Sequence, residues 1–572
     1  MLDFKSFNKT LGTVKPFFSD LAVAGSNINI NANNLNILKT SKEASSLSAG
    51  LGKNSGIKTL PAGDININAT GRVSLDNADI RNTIRPGAEG KIGDININAN
   101  SLSLINNSDI STSNALGKGD AGNINVKTTG DISIVGTTPQ STQVTTLKSN
   151  DSSISSDTNG QGNTGKITID TRGKLLLLNG GNIASRIGPT GVGKGNDIKI
   201  LAQAIDLTNG SSIITDNISK VDVKGNENKK IAQELGFTDF LSKIGADNVG
   251  GKGDAGNIDI KTTGDIRISS SNPQFDLDLD RQITAKSILS SPLSSSISSN
   301  TNGQGNAGGI TIDTQNRGKL SLFGGGTISS GIGKNAVGKG NGIKISAQAV
   351  DLIDGGTIST SNAGGKGDAG NIRIDTIGDI SLLSSLPRST NIKYFSAINT
   401  DTFGQGNAGK ITIDTQNRGK LSLSNGASIS SGIVRNAVGN GGGIAISARE
   451  IDLQNRSYIS TSNSGGKGDA GSIDLKTTGD INIFGSIPGS TGLMTQNSNL
   501  SFISSTTSGQ GNAGNITIDT QDRGKLLLDR VFISSLIDEK GAGNGGNMKI
   551  SAGEIDLRNR SLIFSDNVGG KG

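Results

Sequence analysis

Three carboxylates stand close together in this chain: Asp276, Asp278 and Asp280, just before Arg281. A pair of carboxylates cleaves a glycosidic bond when one holds a proton and the other is ionised, and a rigid scaffold must fix their separation. Here Leu277 and Leu279 separate them in a stretch that reads as a loop, a poor holder for a catalytic pair. The chain has no histidine, cysteine or tryptophan, and its only tyrosines are Tyr394 and Tyr458. The usual proton-transfer side chain and the usual sugar-stacking ring are therefore missing. The expectation is a non-catalytic chain without a cofactor or a metal.

Other strings imitate nucleotide and metal sites. Gly509-Gln510-Gly511-Asn512-Ala513-Gly514 fits the dinucleotide fingerprint G-x-G-x-x-G. That fingerprint works because a helix N-terminus follows the glycines and holds a pyrophosphate. Here a strand pattern follows, Ile516-Thr517-Ile518. Gly188 to Lys194 and Gly333 to Lys339 approach a phosphate-binding loop. Gly195 and Gly340 stand where a magnesium-holding hydroxyl is needed, and strand patterns follow again. Gly364-Gly365-Lys366-Gly367-Asp368 is close to a calcium-binding repeat, but that motif needs carboxylates from adjacent turns. The copies here lie about a hundred residues apart, so each carboxylate stands alone: it reads as a solvated corner, with a weak surface calcium site as the alternative.

The same strings explain each other once the period is read. GQGNTGKITID begins at Gly160, and close copies begin at Gly303, Gly404 and Gly509. Between them recurs GKGDAGNI or a near variant, with Asp120, Asp254, Asp368 and Asp469. Each long unit divides into three shorter ones on a shared template. One reads Ile411-Thr412-Ile413, Leu421-Ser422-Leu423, Ile429-Ser430-Ser431; the next reads Ile444-Ala445-Ile446, Ile451-Asp452-Leu453, Ile459-Ser460-Thr461. Apolar and polar residues alternate, the period of a strand with one face buried and one wet. No segment of the repeat has helical period. Three short strands separated by Gly, Asn and Asp corners describe one coil of a parallel β-solenoid. The expected fold is all-β, a parallel β-helix of about fifteen coils over residues 26–572, roughly 70 Å long at ~4.8 Å per coil. Residues 1–25 form a separate N-terminal segment or partial cap.

Composition agrees. Glycine occurs 84 times, as tight corners require, and branched aliphatics suit a narrow interior. A net charge of +6 over 572 residues is dilute and no basic stripe appears, which weighs against a nucleic-acid partner. No run of 18 apolar residues spans a membrane. The last residues, Asn567 to Gly572, match Asn248 to Gly253 and stop where Asp-Ala-Gly follows in the earlier copy. The expectation is a piece of a longer array.

Sequence that breaks the pattern falls near residues 135–150, 219–249, 270–293, 384–397 and 485–500. Four of these segments carry a proline, Pro139, Pro273, Pro387 and Pro488, at one phase of the repeat, so they should leave the rod on one side every three coils. Insertions at one phase often form the binding face. Their apolar residues Phe275, Tyr394, Phe395 and Met494 either contact a partner or fold back over the coil's flank. The fifth segment has Ile231, Leu235, Phe240, Leu241 and Ile244 at roughly helical spacing. It reads as a short amphipathic helix against the rod, or as a docking element.

The alternation of GNAGNITIDT, RGKLSLSNGASISS and GKGDAGNI resembles the large secreted exoproteins of the filamentous haemagglutinin type, in particular cyanobacterial repeat regions. The likeness covers the chain from about Ser26. It implies a right-handed parallel β-helix, two-partner secretion through an outer-membrane transporter, a place outside the cell or on its surface, and adhesion to cell-surface glycans or proteins. The Asn-Pro motifs of that family's secretion domain are missing here.

Overall fold

The computed structural model describes residues 27–39, 45–51, 62–136, 152–217, 251–270, 295–384, 395–485 and 500–567. Within them the chain is a right-handed parallel β-helix of fifteen coils, the hand that parallel crossover connections take. Each coil gives one strand to each of three sheets, so every sheet has fifteen parallel strands with each strand paired to its equivalents in the coils before and after. Coil 1 begins at Ile28–Ala32 and coil 15 closes with Leu562–Phe564. Fifteen coils at ~4.8 Å give a rod of roughly 70 Å.

Isoleucine dictates this arrangement. In the first sheet Ile65, Ile95, Ile124, Ile167 and Ile198 pair in direct register, as do Ile67, Ile97, Val126, Ile169 and Ile200. These side chains point inward and are essentially unexposed. A β-branched residue already prefers the strand, and each one buried contributes about 1.5–3 kcal/mol. Because like stacks on like, each coil offers the next the same shape, and a register slip of one residue would turn all its isoleucines outward.

The interior is not wholly apolar. The second hydroxyl residue of Ile-Ser-Ser and Ile-Ser-Thr, two positions past the inward isoleucine, points inward and is fully buried. Ser431 donates to the Gly409 carbonyl at 2.6 Å and Ser505 to that of Gly471 at 2.8 Å, while Thr461 donates to the same Gly471 carbonyl. At the corner after the first sheet, Thr314, Thr415 and Thr520 bond the carbonyls of Gly318, Gly419 and Gly524. At the next corner Ser108, Ser211 and Ser457 each donate to the carbonyl three residues back. A tight corner leaves backbone groups inside the coil, and these hydroxyls satisfy them where water does not reach.

A longer cycle runs through the third-sheet corner. Ile187, Asn217, Thr301, Ile332, Asn362, Thr402, Ile433, Asn463, Thr507, Ile537 and Asn567 pair in sequence, so Ile, Asn and Thr alternate with a period of three coils. The asparagines hold the glycine corner: Asn463 accepts from the Gly466 N–H at 2.7 Å and donates to the Gly468 carbonyl at 2.8 Å. The structural unit is thus three coils, about 14 Å of rod.

Candidate binding surface

The glycine strings are corners. Gly511 has φ 135° and Gly406 φ 136°, a region that favours glycine, and each string continues into a first-sheet strand, Ile516–Asp519 after Gly511. Gly188 to Lys194 and Gly333 to Lys339 likewise run into Ile198–Ala202 and Ile343–Ala347. The aspartates of the calcium-like string hold the next coil. Asp368 accepts the Asn407 N–H at 2.8 Å, Asn407 that of Asn440, Asn440 that of Asp469 and Asp469 that of Asn512, one continuous ladder along the corner. Asp254 accepts from Asn306 in the same way. Among the described residues no three acidic side chains converge to hold a metal ion.

Three outer faces remain. On the second sheet, Lys319, Lys420 and Lys525 recur every three coils, and each pairs with an aspartate of the following coil, Asp351, Asp452 and Asp556. This regular ion stripe is solvated on its outer side. On the first sheet, coils 1–4 carry two columns of side-chain amides. Asn66 donates to Asn29 at 2.9 Å, Asn96 to Asn66 at 2.9 Å and Asn125 to Asn96 at 2.8 Å. Beside them Asn68 donates to Asn31 at 3.2 Å and Asn98 to Asn68 at 3.0 Å.

The third sheet is the most individual. In successive coils one outward column places Asp157, Arg186, Asp216 and Asn300 in a row. Arg186 binds Asp157 with both arms of its fork, Nε to Oδ1 at 3.1 Å and Nη2 to Oδ2 at 3.0 Å. Asp216 is 6% exposed, and it accepts the Asn300 N–H at 2.8 Å and the Ser298 hydroxyl at 3.3 Å. Burial pushes its carboxyl up to about 6, against the hydrogen bonds from Asn300 and Ser298. Four coils before Asp216, Arg81 joins Asp79 at 2.9 Å and reaches Asp109 at 3.8 Å. Burial also raises both of those carboxyls, and that of Asp401 further along the face.

Toward the other end of the same sheet Tyr458, Phe502 and Phe532 occupy equivalent positions in consecutive coils. Their rings stack at 4.9 and 5.1 Å with planes 3° and 2° apart, and Phe564 adds a tilted fourth at 6.1 Å. An aromatic column therefore exists where the tyrosine count gave none. It turns the inner ring faces toward one another and presents edges outward. Phe502→Ala opens the column at its centre and breaks two stacked pairs, each worth about 0.5–1.5 kcal/mol beyond area. The expected loss is about 1–3 kcal/mol, read as a lower unfolding midpoint for the last coils by hydrogen exchange.

All four proline-bearing segments connect second-sheet to third-sheet strands, in coils 4, 7, 10 and 13. Of the four residues singled out in them, Phe395 is described. It is half-buried, and its ring lies 2.7 Å from where a Cβ on Gly426 would stand, so it packs on the turn of the following coil. Phe275, Tyr394 and Met494 lie outside the described residues, as do Asp276, Asp278, Asp280 and the segment from Lys220 to Asn248. Among the described residues no helix is long and apolar enough to cross a membrane. No protein-family model matches the chain, and no curated protein matches it either.

Proposed function

We propose that this chain is the rod segment of an extracellular adhesin of the filamentous haemagglutinin type, non-catalytic, exported through an outer-membrane transporter and attached to cell-surface glycans or proteins. One observation carries the reading: four variable connections leave a fifteen-coil rod at the same edge, every three coils, or about 14 Å. A scaffold that repeats its core and varies only at one phase presents several weak contacts in a row, and linked weak contacts multiply into strong attachment. The experiment is retention of the purified chain on cell surfaces, repeated after deletion of residues 385–394. A graded loss is expected. Full retention would leave the rod a passive stalk.

A second reading has its own support. Asp157, Arg186 and Asp216 sit on a rigid sheet, with the outer two backbones two coils, about 10 Å, apart. A carboxyl pushed up to about 6 by burial, with a second carboxylate two coils away on the same face, is the kind of pair an inverting glycosidase uses. Release of reducing sugar from any polysaccharide by the wild type, abolished by Asp216→Asn, would replace the adhesin reading with this one.

A further inference from the structure

The amide face of coils 1–4 departs from the rest of the molecule. Asparagine is disfavoured in strands, yet it fills both outward first-sheet positions of coils 1–3 and one of coil 4. In coils 5–15 neither position holds asparagine; they carry residues such as Thr412, Asp414, Lys476 and Ser551. The coil therefore folds without an amide ladder, and the ladder is not explained by the need to stack.

Its chemistry is specific. A carboxamide has two N–H donors and two acceptor lone pairs, and the ladder uses one of each within a column. Each amide inside a column keeps a second donor and a second acceptor lone pair for another partner. The result is a flat lattice of paired donors and acceptors, repeating at ~4.8 Å along the rod and roughly 7 Å across it. Asn68 and Asn98 are exposed and no formal charge lies in the two columns before Lys127. An anionic polymer finds no counter-charge there, and an apolar partner finds no apolar surface. The seven amides cover roughly 240 Å² by those spacings, against the roughly 800 Å² per partner of a stable protein interface. What fits a small, neutral, bifunctional lattice is a chain of hydroxyls, each of them donor and acceptor together.

We propose that the two asparagine columns of coils 1–4 form a binding strip for a neutral glycan laid along the rod. The proposal deepens the adhesin reading and rests on it, since it names the chemistry of one attachment surface.

The test is electrophoresis of the full chain through gels containing a neutral soluble glucan, a mannan or a galactan, with polygalacturonate as the charged comparison. At least one neutral polymer should retard the chain and polygalacturonate should not. Asn68→Ser/Asn98→Ser installs the residue that coils 9, 12 and 15 carry at this position as Ser346, Ser447 and Ser551, so the strand is kept. It should weaken the retardation at least tenfold. Thr412→Ala/Thr517→Ala, on the same sheet in coils 11 and 14, should leave it unchanged. Retardation by polygalacturonate alone, by no neutral polymer, or equally in the serine variant overturns the proposal. Cell attachment measured in parallel separates the two failures: a chain that holds to cells but binds no neutral glycan keeps the adhesin reading and loses this one.

Discussion

Gly406→Ala is expected to break the rod in two. A Cβ at Gly406 would lie 2.1 Å from the Gly367 carbonyl oxygen, 2.3 Å from its carbon and 2.8 Å from the Asp368 nitrogen, all backbone of the preceding coil. None of these atoms can swing aside. The φ of 136° adds strain for any residue with a side chain. Relief requires the coils to part, which removes the hydrogen bonds from the Gly367 N–H to the Gln405 carbonyl and from the Gln405 N–H to the Gly365 carbonyl. The cost should exceed about 4 kcal/mol, the range reserved for overpacking and backbone strain. Stability in a solenoid is a sum over neighbours, so the damage stays near coils 10 and 11. The expected observation is unfolding in two steps, with protease cleavage close to residue 406 under conditions where the wild type resists. Gly443→Ala is the control. Its Cβ would meet only the Ser472 carbonyl oxygen at 3.5 Å, so its midpoint should move by less than about 1 kcal/mol. A single unshifted transition for Gly406→Ala would show that the coils are not in contact as described.

Asp216→Asn should stabilise the protein above pH 6. The carboxyl titrates near 6 in the fold against an ordinary value of 3.8, so the folded state holds its proton more tightly than the unfolded chain. Stability from this residue is complete below about pH 4, declines as pH rises through 6, and is gone above it; the whole displacement corresponds to about 3 kcal/mol. Arg186 offsets only part of the loss: its charge pulls the Asp216 carboxyl down by less than burial pushes it up, and its fork is committed to Asp157. The amide can do the structural work: one coil later Asn300 accepts the Gly331 N–H at 2.8 Å from the equivalent position. Urea unfolding at several values between pH 4 and 7.5 should give a sloping midpoint for the wild type and a flatter, higher one for the variant. Parallel profiles would place the titration elsewhere.

The coil was legible because its signal is local. Ile-x-Ile followed by Ile-x-Leu and Ile-Ser names the strands and which face they bury. Glycine at fixed offsets names the corners, and the four prolines mark one phase. The third-sheet surface was not legible in the same way. Asp157, Arg186 and Asp216 are spread over sixty residues, and Tyr458, Phe502 and Phe532 are neighbours only after connections of unequal length are folded away. A signal was present all the same, since each ring immediately precedes the isoleucine of its Ile-Ser pair. The inward hydroxyls follow the same alternation: Ser431 and Ser505 stand two positions past Ile429 and Ile503, on the isoleucines' face, and the part not readable from the pattern is the glycine carbonyl each one meets at the corner.

The cycle of Ile, Asn and Thr at the third-sheet corner limits how such a molecule can change its length. Adding or deleting a single coil would set an asparagine beneath a coil shaped for isoleucine and would rotate every later corner out of step with its partner. Adding three coils changes nothing but reach. Gene segments of about a hundred codons are therefore the neutral currency of duplication and loss here, and the near-identity of the strings from Gly303, Gly404 and Gly509 gives recombination the sequence it needs. A lineage can lengthen this rod by roughly 14 Å at a time, and each step delivers one more variable connection on the same edge.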